Sequence, residues 1–103
     1  MAVFDLIVTR HPGLVEHLRR TGLITGGEPV VEHAAPADVR GRHVIGVLPL
    51  HLAAEAASVT EVPLNLGPDD RGRELSAERV AEVAGPPVTY QVRRVEQPAT
   101  AQV

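Results

Sequence analysis

Val3-Phe4-Asp5-Leu6-Ile7-Val8-Thr9-Arg10-His11-Pro12-Gly13 begins as an apolar run broken only at Asp5 and closes on a polar cluster followed by proline. A short, nearly continuous apolar run is the pattern of a strand buried on both faces, so residues 3–8 are predicted as the first strand of a sheet. From Pro12 onward Leu14, Val15 and Leu18 recur at helical spacing, Arg19 and Arg20 fall in the last turn, and Gly22 is placed for a C-cap. Thr9, Arg10 and His11 therefore occupy a strand-to-helix junction, where open α/β sheets bind their ligands. Arg10 carries a planar fork for phosphate or carboxylate, His11 can move a proton near neutral pH, and Pro12 is pre-set for a first helical turn. With Gly13 behind them, these residues read as an anion site at a helix N-terminus. The bland reading of the same residues is a βα turn whose Arg and His face water.

The same logic recurs downstream. Residues 29–33 form a short second strand, residues 35–42 a connection containing Pro, Asp and Gly, and residues 43–48 another buried strand. Leu48-Pro49-Leu50-His51 joins that strand to an Ala-rich helix expected to run to about Ser58. Val62, Leu64 and Leu66 alternate, and Pro63 between them points to an edge strand or a bulge. Residues 67–73 are an irregular loop. Ser76 is placed to cap a helix, Leu75 and Val80 have the spacing of a hydrophobic staple, and Gly85-Pro86 stops the helix. Val88, Tyr90 and Val92 alternate in a last strand. Strands alternating with helices imply an α/β fold: a small, Rossmann-like, three-layer domain with a mostly parallel sheet. Residues 1–95 are expected to form this one domain and 96–103 a disordered tail.

Composition narrows the function. The chain has 103 residues, one Phe, one Tyr and no Trp, so its core must come from Val, Leu, Ile and Ala. A domain this small buries only roughly two-thirds of its unfolded surface and gains from covering a face with a second copy, which predicts a homodimer. A net charge of -3 argues against a general duplex nucleic-acid binder, which needs a broad basic surface. Every basic residue is Arg, the side chain best suited to bidentate phosphate contacts. Absence of Cys excludes a disulfide framework and a thiolate zinc site. The first apolar run is too short for a membrane span and lacks a basic leader, so a soluble cytoplasmic protein without membrane partners is expected.

If the first and third strands are neighbours, Thr9, Arg10 and His11 meet Leu48, Pro49, Leu50 and His51 at the switch-point crevice. Asn65, Arg71 and Arg73 follow the next strand and can close over the same edge. Arg71 and Arg73 read either as a phosphate clamp or as part of a loop of mutually screened charges with Asp69 and Asp70. His11 and His51 lack a nearby acidic partner at metal-ligand spacing, so no metal and no cofactor are expected. His17 reads as a solvated helix residue, and His33 and His43 as packing or edge residues at strand ends. Glu16, Glu55, Glu78 and Glu82 read as solvated helix-face carboxylates. No Gly-x-Gly-x-x-Gly follows the first strand and no phosphate-loop lysine exists, which leaves dinucleotide oxidoreductases and ATPases without support.

Three separated motifs carry a family resemblance: Val8-Thr9-Arg10-His11-Pro12-Gly13, Val44-Ile45-Gly46-Val47-Leu48-Pro49-Leu50-His51-Leu52-Ala53, and Arg71-Gly72-Arg73-Glu74-Leu75-Ser76-Ala77-Glu78. In these the chain resembles the small stand-alone CRISPR-associated proteins of the Csx group numbered sixteen, found beside type III CRISPR systems. The resemblance extends to about Arg94. It implies a minimal CARF-like fold acting as a dimer on cyclic oligoadenylate, with cyclic tetra-adenylate cut to linear products that switch off the defence effectors. The mechanism this implies is metal-independent. A ribose 2′-hydroxyl attacks its neighbouring phosphodiester, Arg10 with Arg71 or Arg73 stabilises the developing charge, and His11 or His51 acts as base or acid.

Two enzymatic readings and two non-enzymatic ones compete. A sponge would bind cyclic oligoadenylate through the same arginines without cutting it. Arg10-His11 also resembles the Arg-His-Gly motif of histidine phosphatases, but Pro12 intervenes before the glycine, the chain is short, and no histidine follows His51. A purely structural or protein-interaction domain would leave Thr9, Arg10 and His11 as surface decoration.

Overall fold

The computed structural model describes residues 3–96. Its elements alternate as the patterning predicts: β1 (Leu6–Val8), α1 (Pro12–Arg20), β2 (Val30–Val31), α2 (Pro36–Val39), β3 (His43–Gly46), α3 (Leu50–Ala53), β4 (Ser58–Glu61), a short 3-10 turn (Pro68–Asp70), α4 (Ala77–Val83) and β5 (Val88–Tyr90). The five strands form one sheet in the order β2-β1-β3-β4-β5. All neighbours are parallel except β4 and β5, which run antiparallel. The fold is thus a small Rossmann-like α/β domain with a mostly parallel sheet.

Side-chain alternation along the strands builds two cores. Ile7 and Ile45 pack with Leu14, Leu18, Leu75 and Val80 from the α1 and α4 side. Leu6, Val8 and Val44 pack with Val39 and Leu52 from α2 and α3. Because β1 and β3 carry helices on both faces, all three β1 residues are buried, which is why its sequence reads as a continuous apolar run. Asp5 interrupts that run yet stays paired with the start of β3. Its amide donates to the His43 carbonyl at 2.8 Å and its carboxylate accepts from the His43 amide at 2.9 Å.

Two glycines set how closely elements approach. Gly46 has φ +132°, and a Cβ there would lie 1.9 Å from the Val8 carbonyl oxygen. A Cβ on Gly13 would lie 1.9 Å from the Leu75 carbonyl oxygen, so the first turn of α1 rests directly on the backbone leading into α4.

The structure departs from the sequence reading in the middle of the chain. The Ala-rich helix ends at Ala53 rather than near Ser58, and the strand that follows is Ser58–Glu61 rather than residues 62–66. Alanine favours helix, but Ser58-Val59-Thr60 pairs with His43-Val44-Ile45 of β3, and this non-local pairing overrides local propensity. Leu64 retains only an isolated antiparallel bridge to Ala84. The connection at 35–42 contains a helical turn, α2, started by Pro36 and closed by Asp38 accepting from the Ala35 amide. The expected tail lies outside the described residues apart from Glu96. Among the described residues no helix is long and apolar enough to cross a membrane.

Candidate functional site

In a sheet ordered β2-β1-β3, the connections leaving β1 and β3 diverge, which opens a crevice beyond their C-terminal ends. Val8 pairs with Gly46 and the Val47 amide donates to the Val8 carbonyl at 3.0 Å, so Thr9-Arg10-His11 leaves β1 beside Val47-Leu48-Pro49 leaving β3. Val8, Thr9, Arg10 and His11 line one wall of an opening of about 430 Å³, with Leu48 and Pro49 opposite. Glu32 and His33, just past β2, complete it.

The turn is held by its own backbone. Thr9 is buried, and its hydroxyl accepts from the His11 amide at 3.1 Å. The His11 carbonyl accepts from the amides of Leu14 and Val15. Pro12 has no N–H, so Gly13 supplies the one amide of this first turn without a protein acceptor among the described residues. An anion placed here would therefore depend mainly on side chains. Gly13 itself is required for packing against Leu75, a role separate from ligand contact.

A second opening, of about 640 Å³, continues from Arg10, His11 and Pro12 toward the loop that carries Arg71 and Arg73. The charge in that loop is sorted by geometry. Asp70 is held by Arg79, with Nε donating to Oδ1 at 2.9 Å and Nη2 to Oδ2 at 2.8 Å, and it also accepts from the Gly67 amide at 2.8 Å. These contacts, the Arg79 guanidinium foremost, hold the Asp70 carboxyl down to about 2. With Asp70 engaged by Arg79, neither Arg71 nor Arg73 has a carboxylate within 4.0 Å among the described residues, and neither does Arg10. Three guanidinium groups thus border one opening, none of them in a salt bridge among the described residues, with the carboxylates of Glu32, Asp70 and Glu74 on the same wall.

Not every residue singled out in the sequence reaches this place. Leu50 and His51 line a different opening, of about 530 Å³, with Pro36, Val92, Arg93 and Arg94. Leu52 is the wall common to the two. Asn65 is exposed, does not border the arginine-lined opening, and donates its amide to the Val83 carbonyl, while the adjacent Leu66 does border it. His43 bonds through Nδ1 to the Ser58 hydroxyl at 2.7 Å, at the opposite end of the sheet. The helix carboxylates are paired: Glu16 with Arg19 and Arg20, Glu78 with Arg20, Glu82 with Arg79, and Glu55 with Arg40. Sequence reasoning missed Glu32 and gave His33 no site role. The available signal was their position just after the strand next to β1, which becomes informative only once the sheet order is known. No group of three His, Asp or Glu among the described residues is arranged to hold a metal ion.

Fold and crevice together define a small Rossmann-like domain with an arginine-lined opening at its switch point. Over residues 6–93 the chain matches the family described as "Putative CRISPR-associated protein (Cas_VVA1548)", and it belongs to that family. No curated protein and no solved structure matches it.

Proposed function

We propose that this CRISPR-associated protein is a ring nuclease of the Csx group numbered sixteen, with a CARF-like fold, that binds cyclic tetra-adenylate and cuts it to linear products. The observation that carries this reading is that Arg10, Arg71 and Arg73 border one opening together with His11, while the Asp70 carboxylate on the same wall is paired with Arg79. Unpaired guanidinium groups fit phosphodiesters, and a histidine beside them fits proton transfer to or from a ribose oxygen. CRISPR association supplies the biological setting in which such a ring occurs.

Catalysis here is positioning and charge. The 2′-hydroxyl attacks its own 3′-phosphorus in line with the departing 5′-oxygen, forming the 2′-O–P bond and breaking the P–O5′ bond. A 2′,3′-cyclic phosphate and a free 5′-hydroxyl result. The arginines stabilise charge on the phosphoryl oxygens as it develops, and His11, which borders the same opening, is the first candidate for proton transfer. His51, in the neighbouring opening, is the second candidate. The protein acts as a homodimer, and exposed Val47 and Leu50 beside the crevice offer apolar surface to a second copy.

The test is incubation of purified protein with cyclic tri-, tetra- and hexa-adenylate in excess EDTA, with products separated and weighed. Linear products ending in a cyclic phosphate are expected, and Arg10→Ala should lower the rate by about 10²-fold or more. Intact ring that stays bound would identify a sponge. No binding to any ring overturns the reading. His11→Ala is expected to cost about 10²- to 10⁴-fold, and the same loss in His51→Ala instead would move the proton role there.

A further inference from the structure

Three openings that Arg10 and His11 border have Glu32 on the wall as well: the one toward Leu48 and Pro49, the one toward Val15 of α1, and the one bordered by Arg71 and Arg73. Glu32 is the first residue past β2, and the Thr9 amide donates to the Val31 carbonyl, so the chains leaving β1 and β2 run side by side at this point. Glu74, which likewise has no partner among the described residues, borders only the last of these openings, and Asp69 borders none of them.

A carboxylate is out of place in a pure phosphate site, because it repels the ligand. Most such groups elsewhere are engaged; Glu61, Asp69 and Glu74 are not, and of these only Glu74 borders an opening shared with Arg10. Glu16, Glu55, Asp70, Glu78 and Glu82 pair with arginines, while Asp5, Glu28 and Asp38 accept from backbone amides. Among the described residues Glu32 accepts no hydrogen bond and has no cation within 4.0 Å. An acceptor-only group at the junction of three openings calls for a donor on the ligand. In dinucleotide-binding doubly wound sheets, whose glycine fingerprint this chain lacks, an acidic residue at the end of β2, about twenty residues beyond the β1 turn, accepts from a ribose hydroxyl. Glu32 stands at that place relative to Gly13.

We propose that Glu32 recognises the ribose 2′-hydroxyl and acts as the base that removes its proton, an assignment that rests on the ring-nuclease reading above. The 2′-hydroxyl proton passes to the Glu32 carboxylate as the 2′-oxygen bonds to phosphorus. The electron pair of the breaking P–O5′ bond leaves on the 5′-oxygen, which takes a proton from the His11 imidazolium. Glu32 ends protonated and His11 neutral, and exchange with water restores both. The same carboxylate makes the site selective for ribose over deoxyribose, because a 2′-deoxy ring leaves it desolvated and unpaired.

Two measurements test this. In a His11→Ala background, which keeps the ring intact, affinities for cyclic tetra-adenylate and its all-2′-deoxy counterpart are compared with and without Glu32→Ala. In the otherwise unchanged protein, single-turnover cleavage is followed for Glu32→Gln across pH. The expected results are a preference for the ribose ring of about tenfold or more that disappears with Glu32→Ala, and a cleavage rate about 10²-fold lower in Glu32→Gln with the acid limb of the pH profile gone. Glu32 is exposed and holds no other residue, so these variants keep the fold. An unchanged ribose preference together with an unchanged rate overturns the role of Glu32 and leaves the ring-nuclease reading intact. Failure of the parent to bind either ring overturns both.

Discussion

Glu28 is only 8 % exposed, yet no arginine neutralises it. Its carboxylate is satisfied by the loop before β2 instead, accepting from the Thr25 amide at 2.8 Å, the Thr25 hydroxyl at 2.9 Å and the Gly26 amide at 2.9 Å. These donors, the Thr25 amide foremost, hold its carboxyl near 2, against 4.5 for an ordinary glutamate. Asp70 is held equally low, from 3.8, chiefly by Arg79. A carboxyl with a depressed folded-state pKa contributes stability that is fully present above its unfolded value and is lost as pH falls toward the folded one. Melting temperature should therefore be flat above about pH 5 and fall between the ordinary values of 4.5 and 3.8 and the folded values near 2. Glu28→Gln should melt lower at pH 6 and show a shallower acid decline, checked by circular-dichroism melts from pH 7 to pH 2.5. An identical decline in parent and variant would remove Glu28 from this account. The same loop also delivers β2, and hence Glu32, to the crevice.

At the scale of elements, α1 and α4 meet through backbone rather than through side chains alone. Alanine in place of Gly13 would gain up to about 1 kcal/mol of helix propensity. It would also drive a methyl group into the Leu75 carbonyl at 1.9 Å, and that carbonyl belongs to the residue preceding the Ser76 cap of α4, with little freedom to yield. Overpacking against backbone wins, and Gly13→Ala should lose about 1–3 kcal/mol in urea denaturation. Gly46→Ala should lose more, because it adds a left-handed backbone conformation to the same kind of clash, here between β3 and β1. Wild-type midpoints for both variants would show that the elements approach less closely than described. Ser76 caps α4 by accepting from the Arg79 amide at 3.0 Å, and Leu75 and Val80 share one core as their spacing predicts. Arg79, fixed by that cap, is then in position to hold Asp70.

For the whole molecule, the core is aliphatic apart from Phe4, and several apolar side chains stay exposed, Leu50 at 76 % and Val47 at 66 % among them. Sedimentation equilibrium at micromolar concentration should give a dimer, and Leu50→Glu with Val47→Glu should shift it toward monomer; a parent that is monomeric throughout removes the dimer from the proposed mechanism. Much of the architecture was legible locally. The apolar run at β1, the helical spacing after Pro12, the Ser76 cap and the Gly85-Pro86 stop are patterns over a few residues, set by steric preference and burial period, and they survive in the structure. The place of Thr9, Arg10 and His11 at a strand-to-helix junction was legible for the same reason, since one strand followed by one helix defines it. The start of β4 at Ser58, the separation of His51 from Arg10, the capture of Asp70 by Arg79 and the arrival of Glu32 beside His11 were not. Each depends on which strand lies next to which, and strand order is chosen by how two apolar faces are covered at once. Sequence by itself determined β1, α1 and α4, the aliphatic core and the polar turn after β1. Tertiary structure alone decided which charges were paired and which were left facing the crevice, because pairing is a matter of distance between residues far apart in the chain.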